Sequence, residues 1–126
     1  MSSELLAIKK LFGAFKRAPL TEFPPAKGRL DAPDLQGVYV IYSPRGKVLH
    51  VGRTLRGKKG LRQRLNNHLQ AGSSFVIKHL DSKGSKLREG YKFRCLPVRD
   101  DRKRALLEFY ALAHLCPEHI GLGEAG

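Results

Sequence analysis

The stretch GVYVIYSPRGKVLHVG, Gly37 to Gly52, predicts a β-hairpin. Gly37–Ser43 is rich in β-branched and aromatic residues, which favour strands. The tetrad SPRG is typical of a tight turn, because proline presets the backbone at its second position and glycine closes it. Lys47–Val51 forms the return strand, and two strands joined this closely must be antiparallel.

Each end of this hairpin places a polar ring close to a glycine. Tyr39 lies two residues after Gly37, and His50 lies two residues before Gly52. A structural hairpin needs neither ring. The hairpin is therefore either a purely structural element or the frame of a functional site.

The segment that precedes the hairpin predicts a helix followed by an extended arm. Apolar residues recur at helical spacing over residues 3–16, which favours an amphipathic helix packed on the core, with a membrane-surface helix as the alternative. Residues 19–34 carry four of the seven prolines, and the Pro-Pro pair excludes a helix there. We expect residues 1–34 to pack on a domain formed by residues 35–121, followed by a flexible tail at 122–126.

The segment that follows the hairpin predicts more helices and a further strand. Leucines at 61, 65 and 69 mark a helix from Gly60 to Ala71. Residues 72–80 fit either a short helix or a strand. Tyr91–Val98 alternates as a strand does, and the Asp pair at 100–101 can cap a helix that ends near Leu115. The predicted fold is α+β, a small three-stranded antiparallel sheet flanked by helices.

The composition suits one soluble domain. The chain has 126 residues, of which 41% are hydrophobic, and no apolar run is long enough for a transmembrane helix. Cys95 and Cys116 fit no metal spacing, and the N-terminal residues lack the layout of a signal peptide. We therefore expect a cytoplasmic protein that does not act at a membrane.

The charge distribution indicates a polyanionic partner. Twenty-four Lys and Arg residues oppose eleven Asp and Glu, a net charge of +13. No acidic residue lies between Asp34 and Asp81, and the basic residues of that span are Arg45, Lys47, Arg53, Arg56, Lys58, Lys59, Arg62, Arg64 and Lys78. A one-sign block within a folded segment favours nucleic acid over a merely solvated face, with an anionic membrane as a third reading.

Two further positions carry candidate chemistry. Arg64 and His68 are four residues apart, so they share one helix face at the border of the leucine stripe. Glu108 is set in an otherwise apolar helix run, where an ionised carboxylate is costly unless it is paired. Its partner is either Arg104, one turn earlier, or a divalent cation. Together with the Tyr/His hairpin, these groups suit phosphodiester hydrolysis, which needs a base, cations and a metal ion.

These residues resemble the GIY-YIG endonuclease family. Gly37-Val38-Tyr39 is similar to its first signature, and His50-Val51-Gly52 is similar to its second. The resemblance covers about residues 37–121. The family's helix arginine falls on Arg64, the histidine one turn later on His68, and the metal-binding glutamate on Glu108.

The resemblance implies a metal-dependent endonuclease that cleaves DNA in preference to RNA. Tyr39 would lie on the water-activating side with His50, Arg64 and His68 would stabilise the phosphate, and Glu108 would hold one divalent cation, Mg²⁺ or else Mn²⁺. The protein would act as a monomer or a homodimer. The residues expected to follow the nucleic-acid backbone are Arg53, Arg56, Lys58, Lys59 and Arg62.

Two positions depart from the family pattern. The tyrosine of the second signature is His50 here, and a histidine can still bond phosphate or water. The family's asparagine after the last helix is absent, and His119 lies near that place. These departures leave an alternative open, a catalytically inactive basic nucleic-acid-binding module on the same fold. A small ribosome-type structural protein is a third reading, which explains the charge but not Glu108.

Overall fold

The computed structural model describes residues 2–56 and 59–121. The prediction of an α+β fold is confirmed: an antiparallel sheet lies between helices. The helices are α1 (Ser3–Arg17), α2 (Gly60–Leu69), α3 (Ser74–His79) and α4 (Asp101–Leu115), with a 3-10 turn at Gly84–Arg88. The strands are β1 (Thr21–Glu22), β2 (Gly37–Tyr42), β3 (Val48–Arg53) and β4 (Lys92–Pro97).

The sheet has four strands in the order β1-β4-β2-β3, whereas the sequence predicted three. The additional strand is β1, a two-residue piece of the proline-rich arm that pairs antiparallel with β4. Its shortness leaves no alternation that a sequence pattern could reveal. The predicted hairpin is β2 and β3, and β3 is the strand at the sheet edge, so one side of it borders no other strand.

The two faces of the sheet bury separate apolar clusters. The first cluster joins Tyr39 and Ile41 of β2 to the leucine stripe of α2 and to α3. The second joins Val38 and Val40 to α1 and α4. Alternate residues of β2 serve opposite faces, as the twofold side-chain period of a strand requires.

The N-terminal segments pack on this sheet. Ile8, Phe12 and Phe15 of α1 are buried, which confirms the core-packed reading of that helix. Phe23 from the arm is buried in the first cluster. The guanidinium of Arg88 donates hydrogen bonds to the arm's carbonyls at 24 and 25, at 2.8 and 2.9 Å. Within the residues described, no helix is long and apolar enough to cross a membrane.

A buried arginine fixes the loop that leaves β3. Arg104 of α4 is only 3% exposed, and its guanidinium donates to the carbonyls of Thr54 (2.8 Å), Leu55 (3.2 Å) and Val98 (3.0 Å). It also donates to the carboxylate of Asp101 at 2.6 Å. A buried cation is tolerated only when such partners replace its water. Arg104 therefore does not pair with Glu108, and the i−4 ion pair considered from the sequence is wrong.

We expect Arg104→Met to lower the free energy of unfolding by about 2–4 kcal/mol, because it leaves several carbonyls without their donor. Arg102→Met is the matched control on the same helix, since Arg102 pairs with Glu4 at an exposed site and should change stability by less than about 1 kcal/mol. Urea unfolding of the two variants measures the difference. Equal destabilisation by the two substitutions would contradict the role of Arg104 in fixing the loop that leaves β3.

Candidate functional site

The hydroxyl of Tyr39 is the centre of a buried hydrogen-bond network. Tyr39 is 1% exposed. The Nε of Arg64 donates to the hydroxyl oxygen at 3.2 Å. The Nε2 of His68 lies 2.8 Å from the same oxygen, and the Nε2 of His50 lies 3.4 Å from it. The structure thus brings four of the predicted site residues together at one oxygen atom.

Gly52 makes room for this arrangement. Tyr39 and Gly52 are cross-strand partners in the β2–β3 pair, and the phenol ring passes over the glycine. A Cβ atom at position 52 would lie 2.6 Å from Cζ of Tyr39, well inside van der Waals contact. The Tyr39 ring of the first signature therefore explains why the second signature ends in a glycine, Gly52.

His68 is oriented by a residue that the sequence analysis missed. Its ring is fully buried, and its Nδ1 lies 2.7 Å from Oγ of Ser73. Ser73 is the N-cap of α3, where its Oγ also accepts the N–H of Val76 at 3.3 Å. Both nitrogens of His68 thus have partners. The run of small polar residues before the apolar run at 75–77 was the available signal for this cap.

The ring of His50 packs against several other aromatic rings. It stacks on Phe75 with ring centroids 4.9 Å apart, and the ring of His119 is 5.2 Å away. The N–H of His119 donates to the Leu49 carbonyl at 2.8 Å, which ties the segment after α4 to β3. His119 is thus next to His50. His79 lies beyond it with ring centroids 5.1 Å apart, and sequence reasoning did not place it here.

Burial keeps the phenol and the two imidazoles of this network uncharged. Burial raises the pKa of Tyr39 to about 12, although the Arg64 charge opposes the shift. Burial lowers the pKa of His50 to about 3, with the neighbouring His119 and Arg64 adding to the effect. Burial likewise holds the pKa of His68 well below its ordinary value. At neutral pH the site is therefore a protonated phenol beside two uncharged imidazoles.

Glu108 approaches from the opposite face of the sheet. It forms an ion pair with Arg53, the last residue of β3. Arg53 pairs with Val38 in the strand register, which places it on the face covered by α4. Burial raises the pKa of Glu108, while its hydrogen bond and charge interaction with Arg53 act in the other direction. Arg53, predicted to contact nucleic acid, is thus engaged with the predicted metal ligand.

Of the other residues predicted to contact nucleic acid, some are exposed and one is already paired within the protein. Arg56 and Lys59 are exposed. Arg62 instead forms an ion pair with Asp34 at 2.9 Å and donates to the Ala32 carbonyl at 3.2 Å, so it ties α2 to the arm. Lys58 and the tail at 122–126 lie outside the described residues.

An open cleft of about 360 Å³ lies between the loop after β3 and helix α2. Arg53 and Arg64 both line it, together with the amide side chains of Gln63 and Asn67. Among the described residues that line it, none is acidic. Its size and charge suit a phosphate group and its adjoining sugar.

The residues present fit a single hard cation. Among the described residues, no group of three or more His, Cys, Asp or Glu side chains is arranged to hold a metal ion. Glu108 supplies one carboxylate close to Arg64, as their mutual charge interaction indicates. Mg²⁺ keeps several waters and is often bound by one or two carboxylates plus substrate phosphates. The single carboxylate of Glu108 thus suits an Mg²⁺ ion whose other ligands are water and phosphate oxygens. The described residues form no preformed cage for such an ion.

We expect Gly52→Ala to displace the Tyr39 ring and to lower the free energy of unfolding by about 1–3 kcal/mol, since the buried ring has no free space to occupy. Gly13→Ala, within helix α1, is the control and should stabilise by up to about 1 kcal/mol. Urea unfolding measures both. A Gly52→Ala variant with the same free energy of unfolding as the wild type would contradict the close approach of the Tyr39 ring to residue 52.

We expect the protein to lose stability as the pH falls below about 6.5. Below that pH, His50 and His68 bind protons in the unfolded chain but stay unprotonated in the folded protein, because folding lowers their pKa values. Each contributes a slope of up to about 1.4 kcal/mol per pH unit between its folded and unfolded pKa. Urea unfolding at several pH values should give a flatter slope of stability against pH for His50→Gln than for the wild type.

Comparisons with known proteins support the fold alone. No protein-family model matches the chain, and no curated protein matches it. Three similar solved structures are crystal structures of the GIY-YIG N-terminal endonuclease domain of UvrC from Thermotoga maritima. One, a point mutant bound to its catalytic divalent cation, is 21% identical with a TM-score of 0.52, over 72% of this chain and 88% of that one.

The second point mutant, also bound to its catalytic divalent cation, is 19% identical with a TM-score of 0.53, over 96% of this chain and all of that one. The magnesium-bound domain is 20% identical with a TM-score of 0.49, over 72% of this chain and 89% of that one. The two likenesses with TM-scores above 0.5 show that the chain has a GIY-YIG-like fold.

Proposed function

We propose that the protein is a metal-dependent endonuclease that hydrolyses phosphodiester bonds in DNA. The observation that carries the proposal is the convergence at one sheet edge. Tyr39, Arg64, His68 and His50 meet at a phenol oxygen on one side of β3, and Glu108 lies on the other side. This combination supplies the proton acceptors, the positive charge and the carboxylate that the reaction needs.

The proton chemistry starts from a protonated Tyr39. With a pKa of about 12, the phenol keeps its proton at neutral pH. Arg64 donates to its oxygen, so the phenol proton is available to one histidine, and His68 makes the shorter contact at 2.8 Å. In this proposal Tyr39 takes a proton from the attacking water as it passes its own to the neutral Nε2 of His68. Ser73 holds the ring by accepting from Nδ1.

His50 assists from the second side of the phenol. Its Nε2, 3.4 Å from the Tyr39 oxygen, is placed to orient the water or to receive a proton. Its lowered pKa keeps the ring uncharged and so able to accept. His50 therefore places an uncharged imidazole, which can accept a hydrogen bond from the water, at the position of the second-signature tyrosine.

The positive charges act on the phosphate. Arg64 lines the cleft while bonded to Tyr39, so one side chain couples the phosphate to the water-activating group. Glu108 would hold the divalent cation, which when bound neutralises charge on the phosphate and leaving oxygens. Arg53 is ion-paired with Glu108 in this structure. If a cation bound this carboxylate, the Arg53 side chain would be free to turn toward the substrate phosphate.

DNA is the proposed partner. The span free of acidic residues provides Arg53, Arg56 and Arg64, which line the cleft, and the exposed Lys59, which precedes Gly60 of its lining. Contacts from such side chains to phosphates give affinity without sequence readout, and the affinity falls with salt. The choice of DNA over RNA follows the family resemblance in the sequence.

We expect Tyr39→Phe to lower the cleavage rate by about 100-fold or more, the usual effect of losing an acid–base group. Glu108→Gln should abolish cleavage, because it removes the charged ligand for the cation. The assay uses supercoiled plasmid and labelled DNA and RNA oligonucleotides with Mg²⁺ or Mn²⁺, followed by EDTA, which should stop the reaction.

Matched controls lie on the same sheet. Tyr42→Phe removes a hydroxyl that bonds Arg94, and Glu22→Gln removes an exposed carboxylate from β1 at the far edge. Both should cleave like the wild type. Undiminished cleavage by Glu108→Gln would overturn the assignment of the metal ligand.

A catalytically inactive DNA-binding module is the second candidate function. The ion pair between Arg53 and Glu108 favours it, since the carboxylate is already neutralised by a protein side chain. This alternative predicts salt-sensitive DNA binding with no nicking under either metal ion. Binding that persists with no product in the plasmid assay would therefore select it.

A further inference from the structure

Leu55 is an apolar side chain held out into solvent beside the cleft. It is 67% exposed, more than any other large apolar side chain among the described residues. It is the second residue after β3 and lies between Arg53 and Arg56 in sequence. A single exposed leucine is ordinary on a protein surface, so its setting must decide whether it has a role.

The main chain under Leu55 is fixed from the interior. Its carbonyl accepts a hydrogen bond from the buried Arg104 at 3.2 Å. The preceding Thr54 is 4% exposed, its N–H donates to the Gly37 carbonyl at 3.0 Å, and its Oγ1 accepts the Gly37 N–H at 2.9 Å. The leucine is therefore displayed on a rigid support.

Leu55 forms the ridge between two clefts. One is the cleft of about 360 Å³ that Arg64 lines, and the other, of about 530 Å³, lies toward Arg104. Arg53, Leu55 and Arg56 are common to both walls. An apolar ridge between two guanidinium groups is a poor surface for a dry protein interface, because those charges would have to be desolvated.

A nucleobase suits this ridge. Phosphates would pair with Arg56 and Arg64, which line the cleft, while the leucine contacts the apolar face of a base, which is how apolar side chains act as wedges between base steps. Resting on the proposed function, we propose that Leu55 packs against a base at an interrupted stack, so that the preferred substrate is DNA with a mismatch, a nick or a branch. Unstacking an intact step costs free energy that an interrupted step has already lost.

The test measures binding to three DNAs with EDTA present, so that cleavage plays no part. The DNAs are an intact duplex, the same duplex with a nick, and the same duplex with a mismatch, each carrying 2-aminopurine at the variable step. Wild-type protein should bind the interrupted duplexes about fivefold or more tightly than the intact one, because an intact step must first be unstacked, and should raise the 2-aminopurine fluorescence.

Leu55→Ser should lose this preference and the fluorescence change while it keeps the affinity for the intact duplex. Leu55→Met should retain both. Leu6→Ser is the control, since Leu6 is 54% exposed on α1 and should behave as the wild type. Thermal unfolding should give the same midpoint for all of these exposed-site variants.

The outcomes separate this inference from the proposed function. If the plasmid is cleaved but Leu55→Ser keeps the preference for interrupted DNA, the inference is overturned and the endonuclease proposal is not. If no cleavage occurs but the preference depends on Leu55, the inference holds for an inactive binding module. Equal affinity of wild type and Leu55→Ser for all three DNAs overturns it.

Discussion

The close approach of the Tyr39 ring to the backbone of Gly52 constrains the rest of the site. Two neighbouring strands leave little space between cross-strand partners, and only a residue without a side chain lets a phenol lie across the edge strand. The hydroxyl then emerges where α2 can deliver Arg64 and His68. A different residue at position 52 would require the ring, and with it three hydrogen-bond partners, to move.

The electrostatics follow from the same burial. The network around Tyr39 contains groups that are able to ionise, and the apolar cluster around it keeps the phenol protonated and the imidazoles neutral. The charges that remain are those of Arg64, Arg53 and Glu108, which lie nearer the surface. In the proposed reaction, the uncharged phenol and imidazoles would handle the proton while the charged Arg64 would contact the phosphate.

Much of the fold could be predicted because the relevant patterns are local. The turn at 43–46, the leucine stripe of α2 and the Asp100 cap each show in a few consecutive residues, and the structure has all three. The meeting of Arg64 and His68 with Tyr39 was predictable from helix periodicity together with the family resemblance.

The remainder depends on contacts that no local pattern records. Arg53 and Glu108 are 55 residues apart in the chain, so the sequence offered Arg104, one helical turn away, as the partner of Glu108. Helix α3 has six residues, fewer than two turns, so its period could not be told from that of a strand, and the role of Ser73 was missed with it. Strand β1, with two residues, shows no alternation at all.

The placement of the site on both faces of β3 has a structural consequence. Tyr39 belongs to the cluster that α2 and α3 complete, whereas Glu108 is carried by α4, which completes the other cluster. The distance between Tyr39 and the Glu108 carboxylate is therefore set by the packing of the two clusters on opposite faces of one sheet. Sequence drift in either core can adjust that distance by small steps, and the hydrogen bonds on the opposite face keep their geometry while it does so.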